Sequence, residues 1–124
     1  RNAKDICFSI FKNYFVNPDL NYAYDMNEII NYYKLYSDLM KYWQKLFPNF
    51  LINADYEKII ENPNTEIKKL IKSCNLIWND KCLKFYNNKR IIKTASDTQV
   101  RKKIYKTSKN SWKRYEKYIN KLNF

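Results

Sequence analysis

Ile29, Tyr33, Tyr36, Met40, Trp43 and Phe47 recur at spacings of four, three, four, three and four. That period puts all six on one side of a helix, so the spacing predicts an amphipathic helix of roughly twenty residues. Asp25, followed three positions later by Glu28, gives it a capping-box-like start, and Pro48 stops it. The stripe reads as core. A chain of 124 residues with 45% hydrophobic and 18% aromatic content is long enough for one domain built around aromatic side chains.

The remaining segments are shorter. RNAKDICFSIFKNYF places Cys7, Ile10, Phe11, Tyr14 and Phe15 on one face of a helix of about four turns, with Ser9 inside it, and Asn17, Pro18 and Asp19 end it. FLINA, residues 50–54, is an apolar run bounded by breakers and reads as a buried strand. A lone strand cannot satisfy its own backbone, so its sheet partners are expected upstream. Pro63 suits the first turn of another helix, with Glu66 in that turn and Ile67, Leu70, Ile71 and Cys74 as its buried face. Asn79 can cap a short helix carrying Cys82, Leu83 and Phe85, ended by Asn87 and Asn88.

From Thr94 to Tyr118 the sequence is TASDTQVRKKIYKTSKNSWKRYEKY. Its first half groups Thr94, Ser96, Thr98 and Gln99 with Arg101, Lys102 and Lys103 without apolar period, and reads as a loop. Its second half sets Trp112, Tyr115 and Ile119 at helical spacing behind Ser108, a good N-cap. Hydroxyls and fixed cations held against a helix N-terminus favour an anion, and a phosphate is the expected cargo.

The formal net charge of +12 is uneven: residues 1–80 hold ten Lys/Arg and ten Asp/Glu, whereas residues 81–124 hold fourteen and two. A basic C-terminal field attracts phosphates, nucleic acid or anionic membrane. With no glycine, a Gly-rich phosphate loop cannot lie within these residues. The absence of histidine argues against a zinc site or an imidazole base, and no metal is expected. Cys7, Cys74 and Cys82 are odd in number, lack CxxC spacing and read as reduced core thiols, which fits a cytoplasmic setting. No apolar run approaches transmembrane length, and no membrane partner is expected. The chain begins with Arg rather than Met, which suggests a fragment.

Three motifs together resemble the sulfotransferases that use 3'-phosphoadenosine 5'-phosphosulfate (PAPS). RNAKDxxxS is similar to their 3'-phosphate motif, in which an Arg and a Ser eight residues later grip the phosphate; here these are Arg1 and Ser9. YEKIIENPNTEIKKLI resembles the stretch in which a Tyr-Glu pair leaves a core strand, Asn-Pro follows and a helix packs behind, and Tyr56 stands where the family's tyrosine lines the adenine site. Ser96, Gln99, Val100 and Lys102, with Trp112 downstream, look like the C-terminal PAPS-binding segment of bacterial sulfotransferases joined to tetratricopeptide repeats and of tyrosylprotein sulfotransferases.

The resemblance implies an α/β fold: the C-terminal part of a three-layer P-loop-like domain, mostly helical over residues 1–124 with one or two short strands. The phosphosulfate-binding loop and catalytic base would belong to the upstream half. PAPS is the implied co-substrate, and sulfuryl transfer to a hydroxyl or amine the implied reaction. The implied contacts are Arg1 and Ser9 to the 3'-phosphate, Tyr56 to adenine, and Ser96, Gln99, Arg101 and Lys102 in the closing loop. Ser96 is also the candidate donor to the transferring group. The acceptor, a small molecule, carbohydrate or protein, is left open, and tetratricopeptide repeats are a possible partner. A different reading is a basic helical nucleic-acid-binding module, in which Tyr105, Trp112, Tyr115 and Tyr118 would stack on bases.

Overall fold

The computed structural model describes residues 1–91, 97–105 and 109–119, with the side chain of residue 97 excepted. The chain divides into two compact units, Arg1–Leu51 with Thr107–Phe124, and Ile52–Lys106.

In the first unit, helix α1 spans Ala3–Phe11 and α2 spans Met26–Leu46, with a 3₁₀ segment, Pro18–Tyr24, between them. Asn2 caps α1 by accepting the Lys4 N–H. Asp25 caps α2 as its spacing to Glu28 requires: one carboxylate oxygen accepts from Asn27 N at 2.7 Å and from Glu28 N at 3.1 Å. Helix α1 is shorter than the expected four turns. The Tyr24 hydroxyl accepts the Phe15 N–H and donates to the Phe15 carbonyl, so Phe15 is tied to the following segment instead of to a helical ladder. Cys7, Ile29 and Ile30 form the core of this unit, with Ile10, Tyr22, Met26 and Tyr33 packed around them.

The stripe on α2 is core mainly over its first half. Ile29 is buried and Tyr33 and Met40 half-buried, but Tyr36, Trp43 and Phe47 are exposed, as are Leu35, Leu39, Tyr42 and Leu46. The period fixes which side of a helix is apolar; whether that side is covered depends on what packs against it.

In the second unit, α3 spans Tyr56–Glu61 and α4 spans Pro63–Ser73. A 3₁₀ segment, Asp80–Asn87, follows behind the Asn79 cap, which accepts the Lys81 N–H. Pro63 opens α4 as expected. Its end shows how a chain without glycine closes a helix. Asn75 takes φ 55° and donates to the Lys72 carbonyl, and Leu76 donates to that of Ile71, the paired bonds of a Schellman motif. Asparagine is the residue that most readily substitutes for glycine there.

Two expectations fail. Residues 50–54 are not a strand: Phe50 closes a turn and residues 51–55 are irregular, and no strand occurs among the described residues. With no neighbouring strand to pair with, an apolar run gains nothing from extension. Cys74 is exposed and Cys82 half-buried, so only Cys7 is a core thiol; all three are free. Cys74 ends α4 at its cap, where the helix turns away from the half-buried Ile67, Leu70 and Ile71.

The predicted loop contains one helical turn, α5, at Asp97–Val100. The later helix begins at Ser111, as a 3₁₀ turn Ser111–Tyr115 running into α6, Glu116–Ile119. Trp112 and Ile119 are buried there and Tyr115 is about half exposed, while Ser108 lies outside the described residues.

Candidate functional site

Tyr56 is the first residue of α3, behind the Asp55 cap, instead of the end of a strand. Asp55 accepts the Lys58 N–H at 3.2 Å, and that bond holds its carboxyl below the usual carboxylate range. Capping at Asp55 fixes where α3 starts and therefore which way Tyr56 projects. Tyr56 is half-buried, and with Ile59 and Ile60 of the same helix it forms one wall of a cavity of about 220 Å³.

The same cavity is lined by Gln99 and Val100 of α5, by Lys102, Lys103, Ile104 and Tyr105 just after it, and by Phe85. Tyr56 and the pair Gln99 and Lys102, 43 and 46 residues further on, which the motifs assign to one ligand, therefore share one cavity. Its interior is aromatic and aliphatic, and its cations sit beside an amide. A planar heteroaromatic ring carrying negative charge on a substituent suits that set of groups.

Arg101 turns elsewhere. Its guanidinium donates to the carbonyls of Asn88 at 3.0 Å and Arg90 at 3.2 Å, strapping residues 88–90 to the segment that carries Gln99 and Lys102. Lys103 stands 5.9 Å from the centroid of the Tyr86 ring. Ser96 lies outside the described residues.

Arg1 and Ser9 belong to the first unit. Arg1 is exposed just ahead of α1, and Ser9 is half-buried within it. Helix α1 is tied to the later part of the unit by a residue that the periodicity did not single out. Asp5 is fully buried, and its carboxylate accepts the Asn110 N–H at 2.9 Å and the Ser111 hydroxyl at 3.3 Å. Asn110 adopts φ 59°, which points its N–H at this carboxylate ahead of the Ser111 turn. Lys4 lies 4.6 Å from the ring centroid of the buried Trp112 on the same side. Nothing in the local sequence singled Asp5 out: its neighbours at helical spacing are Arg1, Asn2, Phe8, Ser9 and Lys12, a mostly polar set. The cavity residues Ile59, Phe85, Ile104 and Tyr105 were likewise unsignalled, because nothing local distinguishes them from ordinary core.

Among the described residues, no group of three or more His, Cys, Asp and Glu side chains could hold a metal ion. No helix among them is long and apolar enough to cross a membrane.

Comparison with known proteins gives three findings. No solved structure matches the chain. A protein of Aquifex aeolicus (strain VF5), described as uncharacterized, is 37% identical over 121 residues; the match covers 96% of this chain and 16% of that protein, so the chain spans about one sixth of its relative's length. The family model described as "Sulfotransferase family" matches residues 1–80, a stretch that holds Arg1, Ser9, Tyr56 and the whole of α1 to α4. That match takes in well over half of the 124 residues, and the chain belongs to the sulfotransferase family.

Proposed function

We propose that this chain is the nucleotide-holding part of a PAPS-dependent sulfotransferase of the kind found in bacterial tetratricopeptide-linked and tyrosylprotein enzymes. The observation that carries the reading is the convergence of Tyr56, Gln99 and Lys102 on one cavity. Family membership supports sulfuryl transfer as the chemistry. In that reaction an acceptor oxygen or nitrogen attacks sulfur in line, and the bond from sulfur to the bridging oxygen of the 5'-phosphate breaks. The acceptor proton passes to a base, and negative charge collects on the departing phosphate oxygen.

Each residue has a distinct task in this reading. Tyr56 stacks against the adenine with Ile59, Ile60 and Phe85 behind it, and Gln99 offers an amide to the ring edge. Lys102 faces the phosphates and lowers the energy of the charge that develops there. Arg101 acts through its fork on the Asn88 and Arg90 carbonyls, keeping the closing segment in register. Arg1 and Ser9 grip the 3'-phosphate, and Ser96 donates to the transferring group. The catalytic base and the phosphosulfate-binding loop lie in the rest of a longer, three-layer α/β domain, which would also bring the acceptor, and the enzyme acts in the cytoplasm. Alone, this part binds nucleotide without turning it over.

The reading is tested by titrating the chain with adenosine 3',5'-bisphosphate. Tyr56→Ala is expected to weaken binding by about tenfold or more, the scale of one lost stacking contact. Unchanged affinity in a folded Tyr56→Ala protein would remove the cavity from consideration.

A further inference from the structure

A second cavity, of about 520 Å³, lies wholly within the first unit. Its walls are Phe8 and Phe11 of α1, Met26 at the start of α2, and Tyr115, Tyr118 and Ile119 near the C-terminal turn, with Lys12 at its rim. The volume falls within the roughly 300–1,000 Å³ range of small-molecule sites. Phe8 and Tyr115 lie with ring centroids 5.0 Å apart, so one wall is a continuous aromatic surface. Phe11, Tyr115 and Tyr118 are between 44% and 62% exposed, which makes the cavity open to solutes.

One cation is part of its lining: the Lys12 ammonium stands 5.9 Å from the Phe8 ring centroid. No carboxylate is among the described lining residues. From this arrangement we infer that the cavity binds an aromatic anion, its ring body between Phe8, Tyr115 and Tyr118 and its single sulfonate, sulfate or carboxylate group at Lys12. Four aromatic side chains favour a flat guest over an alkyl chain, and the ammonium of Lys12 favours a negatively charged end. The Tyr56 cavity belongs to the other unit, so this inference stands or falls independently of the nucleotide reading.

A matched pair of dyes tests it: 8-anilinonaphthalene-1-sulfonate, which carries the anion, and N-phenyl-1-naphthylamine, the same ring body without it. Fluorescence titration of the chain is expected to give one sulfonate dye per molecule, bound about tenfold more tightly than the neutral dye. Lys12→Gln is expected to bring the sulfonate dye down to the affinity of its neutral partner and leave the latter unchanged. Met26→Trp, which fills the cavity, is expected to remove both. Leu39→Lys, on the exposed face of α2, is expected to change neither. Equal affinity for the two dyes, indifference to Lys12→Gln, or loss of binding in Leu39→Lys would overturn the inference. If Met26→Trp does not fold, Lys12→Gln and Leu39→Lys still decide, since both side chains are exposed.

Discussion

At the scale of single residues, Asp5 carries the most weight. A fully buried carboxylate is tolerated only when its oxygens are satisfied, and both are, by the Asn110 N–H and the Ser111 hydroxyl. Removing the carboxylate leaves those two donors without their acceptor. Asp5→Ala is therefore expected to lower stability by about 2–4 kcal/mol in urea unfolding. A loss below about 1 kcal/mol would mean that the two segments are held together by other contacts. Cys7, buried two positions further on, has its thiol pushed above the ordinary value of 9.0 by burial, so it stays protonated in the folded chain. Asp55 goes the other way. Its folded-state pKa lies below the ordinary 3.8, so its cap contributes stability that is present above that value and lost as pH falls through the folded value. Helical signal from α3 is expected to fall on acidification through this range in the wild-type chain, and the acid-induced change is expected to shrink in Asp55→Ala. An identical acid transition in both proteins would show that the cap is not what holds α3.

At the scale of elements, local signals were legible and non-local ones were not. The caps Asp25 and Asn79 and the helix-opening Pro63 act within three residues of themselves, and all three sit where their chemistry required. The run at 50–54 failed because a strand depends on a partner, and sequence spacing says nothing about whether one is near. Helix α2 shows the same limit. Its spacing located the apolar face, yet only Ile29, Ile30 and their neighbours are covered. In hydrogen exchange, amides of Ile30–Tyr33 are expected to be protected about tenfold or more strongly than those of Tyr42–Lys45, because opening the latter exposes little additional apolar surface. Uniform protection along α2 would indicate that its second half is packed in solution.

At the scale of the whole molecule, the family was legible in three short motifs, and the candidate site only in part. The motifs named Tyr56, Gln99 and Lys102, which do line one cavity, but not the Ile59, Phe85, Ile104 and Tyr105 side chains that shape it. The motifs also grouped Arg101 with the phosphate ligands, while its guanidinium reaches backbone carbonyls. Such distinctions arise from tertiary placement, which motif spacing does not encode. Charge asymmetry points to anionic partners in general without selecting among them. The most direct measurement is calorimetric titration of the chain with adenosine 3',5'-bisphosphate and with AMP, which differ in the 3'-phosphate assigned to Arg1 and Ser9. Tighter binding of the bisphosphate by about tenfold or more, with the difference lost in Arg1→Ala, is the expected result. Equal affinity for the two nucleotides, or a bisphosphate preference that survives Arg1→Ala, would contradict it.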